Sequence, residues 1–223
     1  MLKALLLLGM FAFGTIMMDE AKDIFYYEIV GSAVHPAQIG ARTIATGWNV
    51  KYKGQKFFVT NLHVCNALSK EAEKLEVDGK TLKILMRSSD HDLCFAEPYE
   101  NSWGYASALD LASYSHMGEK VTIVGHPRGL NKTVREGHIF SYGFDYFPWL
   151  EKPNQLADYL AVTTIGYPGN SGSPVVNRFG NVVGVCFAGN PRYHTELMIV
   201  PVERIKEELD KLISILFYAK FIH

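Results

Sequence analysis

The sequence predicts an all-β protein built from barrels and closed by a single helix. From Ile24 onward, short apolar or alternating runs recur at regular spacing between clusters of turn residues, the pattern of barrel strands. After Pro201 the period changes. Ile205, Leu209, Leu212 and Leu216 fall on one helical face, with Glu207, Glu208 and Lys211 elsewhere. The length of 223 residues, 48% apolar and 20% charged, suits one all-β domain of two barrels or two small domains with a real core. No internal repeat and no low-complexity segment interrupts the pattern.

The elements follow in order. Residues 43–50 read as a strand, Lys53-Gly54-Gln55 as a turn and 56–60 as the return strand. Residues 67–76 are rich in helix formers. Residues 75–77 and 81–86 form a hairpin around Asp78-Gly79, and 90–96 pass from polar to apolar. A looser stretch, 98–115, connects two halves. Residues 121–124, 134–142 and 159–164 are further strands, with an aromatic loop at 144–153, and 181–187 precede a turn at Gly189-Asn190-Pro191.

The first residues differ. Lys3 precedes an apolar run, 4–18, and then the polar Asp19-Glu20-Ala21-Lys22-Asp23. One positive charge before a short apolar run is the shape of a secretory signal peptide, and Ala12-Phe13-Gly14 offers small residues for cleavage after Gly14. The run is short for a span of about 20 residues. An uncleaved anchor is the second reading and a buried helix the third. Residues 1–22 are therefore expected to be a leader or anchor, and the protein to be secreted or periplasmic.

A formal net charge of −1 gives no reason to expect nucleic acid or an anionic membrane surface as partner, so membrane contact is expected only through an uncleaved leader. The three cysteines, Cys65, Cys94 and Cys186, match no zinc spacing and are odd in number. They are expected to be three buried thiols, without a disulfide-stapled architecture.

The stretch most suggestive of chemistry is Gly169-Asn170-Ser171-Gly172-Ser173-Pro174. Flanking glycines let a serine sit on a tight exposed turn and bring N–H groups close to a reacting oxygen. The N–H groups of Gly169 and Ser171 are candidates for an oxyanion hole, with Asn170 shaping the turn. A glycine-rich hairpin loop is the plain alternative. A serine nucleophile needs a base and a group to orient that base. Of eight histidines, His63 stands out because it follows the apolar strand 57–60. His91 is its rival, being next to Asp92. Asp92 opens the apolar run 93–96, where partial desolvation suits a carboxylate that holds an imidazole, whereas Asp90 reads as a solvated turn residue.

These residues carry a resemblance. Val59-Thr60-Asn61-Leu62-His63-Val64, Asp92-Leu93-Cys94-Phe95-Ala96 and 169–174 resemble the histidine, aspartate and serine segments of trypsin-fold serine proteases. Their order and separations are also typical of that family: 29 residues from His63 to Asp92 and 79 from Asp92 to Ser171. Val124-Gly125-His126-Pro127-Arg128-Gly129-Leu130 is similar to a segment of HtrA-type proteases. The serine segment with Val175 is similar to glutamyl endopeptidases. The resemblance spans roughly 43–209. It implies two six-stranded antiparallel barrels, 24–110 and 111–201, with the active site in the cleft between them and a helix, 202–218, packed on the second barrel. No segment after that helix is long enough for the PDZ domain that HtrA-type proteases usually carry.

The implied activity is that of a serine endopeptidase acting on protein or peptide substrates without metal or organic cofactor. His63 would act as general base, Asp92 as its orienting carboxylate, Ser171 as nucleophile, and Gly169, Asn170 and Ser171 as the oxyanion segment. The pocket walls would be Thr164, Ile165 and Gly166, then Phe187, Ala188 and Gly189. Neither wall holds an acid to receive Arg or Lys. Cys186 stands where glutamyl endopeptidases place a histidine, so small or medium apolar residues are expected before the cut bond. Glu28-Ile29-Val30-Gly31-Ser32 resembles a zymogen cleavage site, but Asn170 has no charge to receive a new ammonium, and Ile29 is expected to stay within an intact chain. The competing readings are a catalytically silent binding module on the same fold and an anchored processing protease with one specific partner.

Overall fold

Two tight turns set the register of the first half. At Lys53-Gly54 and Asp78-Gly79 both residues of each pair take positive φ, so the chain reverses over two residues. In the computed structural model, strands β2 (Arg42–Tyr52) and β3 (Gln55–Thr60) pair across the first turn. Strands β4 (Lys74–Val77) and β5 (Lys80–Arg87) pair across the second. The structure describes residues 21–22, 24–39, 42–68, 73–100, 107–146, 150, 156–189 and 195–219.

Strands β1 (Val34–Ile39) and β6 (Cys94–Ala96) complete an antiparallel barrel of six in the order β1-β4-β5-β6-β3-β2, closed by pairing of β1 with β2. A two-residue strand β7 (Leu109–Asp110) runs parallel to β2, and the next residue, Leu111, bridges to Val182 in the second half. There β8 (Lys120–Gly125), β9 (Thr133–Tyr146), β10 (Leu156–Thr163), β11 (Pro174–Val176), β12 (Val182–Gly189) and β13 (Glu196–Pro201) form a second closed barrel. The expected two six-stranded antiparallel barrels are present, followed by a helix at Val202–Ala219.

Each barrel has its own apolar interior. Phe58, Val64, Leu75, Val77 and Leu82 fill the first. Val121, Ile123, Ile139, Val162, Val183 and Ile199 fill the second. A third cluster joins them: Trp48, Val59, Leu93 and Phe95 from the first barrel meet Val176, Val182 and Val185 from the second. Ile205, Leu209 and Leu212 of the C-terminal helix belong to this same cluster. The helix packs on β12 and β13 of the second barrel. Lys53 pairs with Asp210 at 2.6 Å and Lys211 with Asp90 at 2.9 Å, tying the helix to the first barrel.

Four local expectations are corrected. Residues 25–33 are helical rather than β, in two short turns, Phe25–Ile29 and Val30–Ala33, because Tyr26 and Val30 turn inward to the core. Of residues 67–76, rich in helix formers, 67 and 68 end the helix Leu62–Leu68 and Lys74 already begins β4, whose pairing with β5 and β1 outweighs local helix propensity. Glu208, expected off the apolar face, is buried at 2% exposure and paired with Lys211 at 2.7 Å. Finally, Cys65 and Cys94 form a disulfide, and Cys186 alone is a free, buried thiol. The residues of the expected leader from 1 to 20, with the cleavage position after Gly14, lie outside the described residues.

Candidate active site

Strand β3 ends at Thr60, and the chain turns directly into the short helix Leu62–Leu68, so His63 lies in the first turn of a helix rather than at a bare strand end. The carboxylate of Asp92 meets it twice. Oδ1 accepts the His63 main-chain N–H at 2.9 Å, and Oδ2 lies 2.6 Å from ring Nδ1. This two-point hold fixes ring orientation and puts a proton on Nδ1, leaving Nε2 as the basic nitrogen. Asn61 Nδ2 donates to the Asp92 main-chain carbonyl at 2.8 Å. Asp92 is 3% exposed, while the His63 side chain keeps 31% exposure: a buried orienting carboxylate and an accessible imidazole. The disulfide joins Cys65 and Cys94, each two residues beyond one member of this pair.

His91, the rival, is drawn into a different environment. Burial lowers its pKa, and Glu208, Asp158, Arg204 and Asp90 are charged groups around it. Asp90 is engaged by Lys211 and Ser89. The structure thus brings together His63 and Asp92, not His91 or Asp90.

The serine segment turns over Tyr167 to Ser173. Asn170 N–H donates to the Tyr167 carbonyl and Ser173 N–H to the Asn170 carbonyl. Gly169 has φ +97° and Gly172 φ +82°, so both need the left-handed region. A Cβ on Gly172 would lie 2.0 Å from the Thr46 carbonyl oxygen. The Pro168 carbonyl accepts the Arg128 N–H at 2.6 Å, which turns the Gly169 N–H of that trans peptide the opposite way. Among the described residues, neither the Gly169 nor the Ser171 N–H donates to a protein acceptor.

Thr46 is the junction that sequence reasoning missed. Its N–H donates to the Ser171 carbonyl at 2.8 Å and its hydroxyl to the Gly169 carbonyl at 2.9 Å. The same Oγ1 accepts the His126 N–H at 2.9 Å, and the Thr46 carbonyl accepts the Thr60 hydroxyl at 2.8 Å. One fully buried residue of the first barrel therefore ties the Ser171 turn to the strand that leads into His63.

Beside Ser171 lies a pocket of about 340 Å³. Of the residues named for the pocket walls, Gly166, Phe187, Ala188 and Gly189 line it; Thr164 and Ile165 are not among its described lining, and Ile165 is 40% exposed. Tyr167, Pro168, Asn170, Cys186 and Leu197 line it too, and none of the described lining residues is charged. Leu197 was unforeseen; it faces Gly166 so closely that a Cβ there would sit 2.8 Å from its Cδ1. Burial pushes the Cys186 thiol well above the usual range, so it serves as an apolar wall.

Residues 45–185 match the family model of the trypsin-like peptidase domain, and the chain belongs to that family. It is 26% identical over 162 residues to the serine endoprotease DegS of Salmonella typhimurium, covering 72% of this chain and 43% of that one. The chain thus spans about two-fifths of the length of such curated relatives. In fold it is similar to the active form of the Rv3671c protease of M. tuberculosis, with TM-score 0.66, 16% identity, and coverage of 85% of this chain and 86% of that one. It is likewise similar to the HtrA-type protease AlgW with a decapeptide: TM-score 0.66, 17% identity, coverage 84% and 66%.

Proposed function

We propose that this protein is a serine endopeptidase that cuts polypeptides through an acyl-enzyme. The observation that carries the reading is the two-point hold of Asp92 on His63, with Ser171 tied through Thr46 to the same framework. His63 takes the Ser171 proton as the hydroxyl attacks the scissile carbonyl. Asp92 stabilises the imidazolium that forms. The N–H groups of Gly169 and Ser171 receive the oxyanion, with Asn170 holding the turn. His63 then gives its proton to the leaving amine, and water repeats the cycle on the ester. Fluorophosphonate labelling tests this: labelling of the wild-type chain that disappears in Ser171→Ala supports it, and a folded chain that never labels sinks it.

The pocket of about 340 Å³, with no charged residue among the described residues that line it, supports cleavage after small or medium apolar residues. Discrimination is expected to be modest, because one methylene in such a pocket is worth only about 1–3 kcal/mol. Mass-spectrometric mapping of a digested peptide library checks it; cleavage mainly after Glu, or after Arg and Lys, rules it out. The Cys65–Cys94 disulfide favours an oxidising compartment, consistent with a secreted or periplasmic enzyme. Among the described residues no helix is long and apolar enough to cross a membrane.

A further inference from the structure

A second depression, of about 510 Å³, adjoins the oxyanion segment at Pro168 and Gly169. Arg42, Thr43, Ile44, Arg128, Gly129, Pro168 and Gly169 line it; Pro168 is shared with the pocket beside Ser171. Two of these residues are exposed arginines and none is acidic. Arg42 starts β2 just before a bulge, where Ala37 pairs with Ala45 but Gln38 with Thr43. The extra residue, Ile44, bends the strand and lets three consecutive residues line one hollow. Arg128 is held by its own backbone, at φ +56°, and by its guanidinium, 4.2 Å from the centre of the Tyr167 ring. Among the described residues neither arginine is paired with a carboxylate.

Position decides what this hollow meets. On the peptidase reading above, on which this inference rests, the acyl side chain fills the pocket beside Ser171 and the scissile carbonyl points at the Gly169 N–H. The chain beyond the cut bond must leave the acyl pocket, and crossing Gly169 brings it into the hollow. At about 3.3–3.6 Å per extended residue, the hollow falls within reach of the first three leaving-group residues. We propose that it selects an acidic side chain there, with Arg42 and Arg128 as its charge partners. The substrate class is then a polypeptide with a small or medium apolar residue before the cut and Asp or Glu within three residues after it.

The test uses internally quenched peptides that differ only by Glu or Gln at each of those three positions. At one position at least, kcat/KM for Glu is expected to exceed that for Gln about tenfold at low salt, and to approach equality near ~1 M salt, where exposed charges are screened. Arg42→Gln and Arg128→Gln should each lower this ratio, and Arg42→Glu should lower it further. The ratio compares two substrates on one preparation, so partial misfolding of a variant does not alter it. Equal cleavage of Glu and Gln peptides by an enzyme that still labels with fluorophosphonate overturns the inference and leaves the peptidase reading intact. A Glu preference that persists unchanged in both arginine variants also overturns it. Absence of both labelling and cleavage overturns the reading beneath it.

Discussion

Asp92 and Asp90 lie two residues apart, yet only one holds a histidine. Asp92→Asn keeps the shape but removes the acceptor that sets the His63 tautomer, and kcat is expected to fall by about 10⁴. Asp90 is 25% exposed and faces Lys211, so Asp90→Asn is expected to leave kcat within about twofold. Active-site-titrated kcat for the two variants decides; the larger loss at Asp90 would refute the assignment. Gly169 is the second residue-scale test. A Cβ there would lie 2.6 Å from the His126 carbonyl oxygen and 2.8 Å from Arg128 N, both backbone atoms that cannot swing aside. Gly169→Ala should displace the oxyanion N–H and lower kcat by roughly 10²–10³. A near-wild-type kcat would remove Gly169 from that role.

At the scale of elements, the site depends on two junctions. One is Thr46 in the middle of β2, whose hydroxyl serves one buried and one part-buried main-chain partner. Thr46→Val keeps the shape but strands a carbonyl and an N–H, at about 1–3 kcal/mol each. Both stability and kcat are expected to drop, read by urea midpoint and by turnover on the same preparation; unchanged turnover would show that the link is structural only. The other is the disulfide between the His63 helix and β6. It closes a loop with a sequence separation of 29 residues, for which a stabilisation of about 2–4 kcal/mol is expected. Cys65→Ala with Cys94→Ala should lower the urea midpoint accordingly, and reductant should do the same to wild type but not to the variant.

For the molecule as a whole, acid sensitivity follows from half-buried imidazoles. His35 stacks on Tyr99 with ring centroids 3.9 Å apart, and burial lowers its pKa from 6.5 to about 4. The unfolded chain therefore takes up a proton in a range where the folded chain does not. Stability is complete above the unfolded value and is lost as pH falls from about 6.5 towards 4, by up to about 3 kcal/mol from this group. Burial lowers His91 and His126 in the same direction. Urea unfolding at pH 7.5 and 4.5 checks this; His35→Phe, which keeps a ring against Tyr99, should show a smaller acid loss than wild type. An identical loss would place the effect elsewhere.

Much of this was legible in the residues themselves. Hairpin turns, strand alternation and the stripe Ile205, Leu209, Leu212 are local patterns, set by backbone sterics and side-chain period over a few neighbours. That Asp92 rather than Asp90 meets His63 was also readable, because a carboxylate that opens an apolar strand is buried with it. The disulfide was not read, although Cys65 and Cys94 each stand two residues beyond His63 and Asp92. An odd count of cysteines pointed away from pairing, and only the meeting of those two segments brings the sulfurs together. Thr46, Leu197 and the arginine-lined hollow were beyond reach for the same reason: each depends on partners tens of residues or more away, joined by barrel closure. Sequence alone determined which short segments form and which residue types can do the chemistry. The tertiary structure decided which of them meet, because hydrogen bonds and charge pairing act over a few ångströms of space, whatever the distance along the chain.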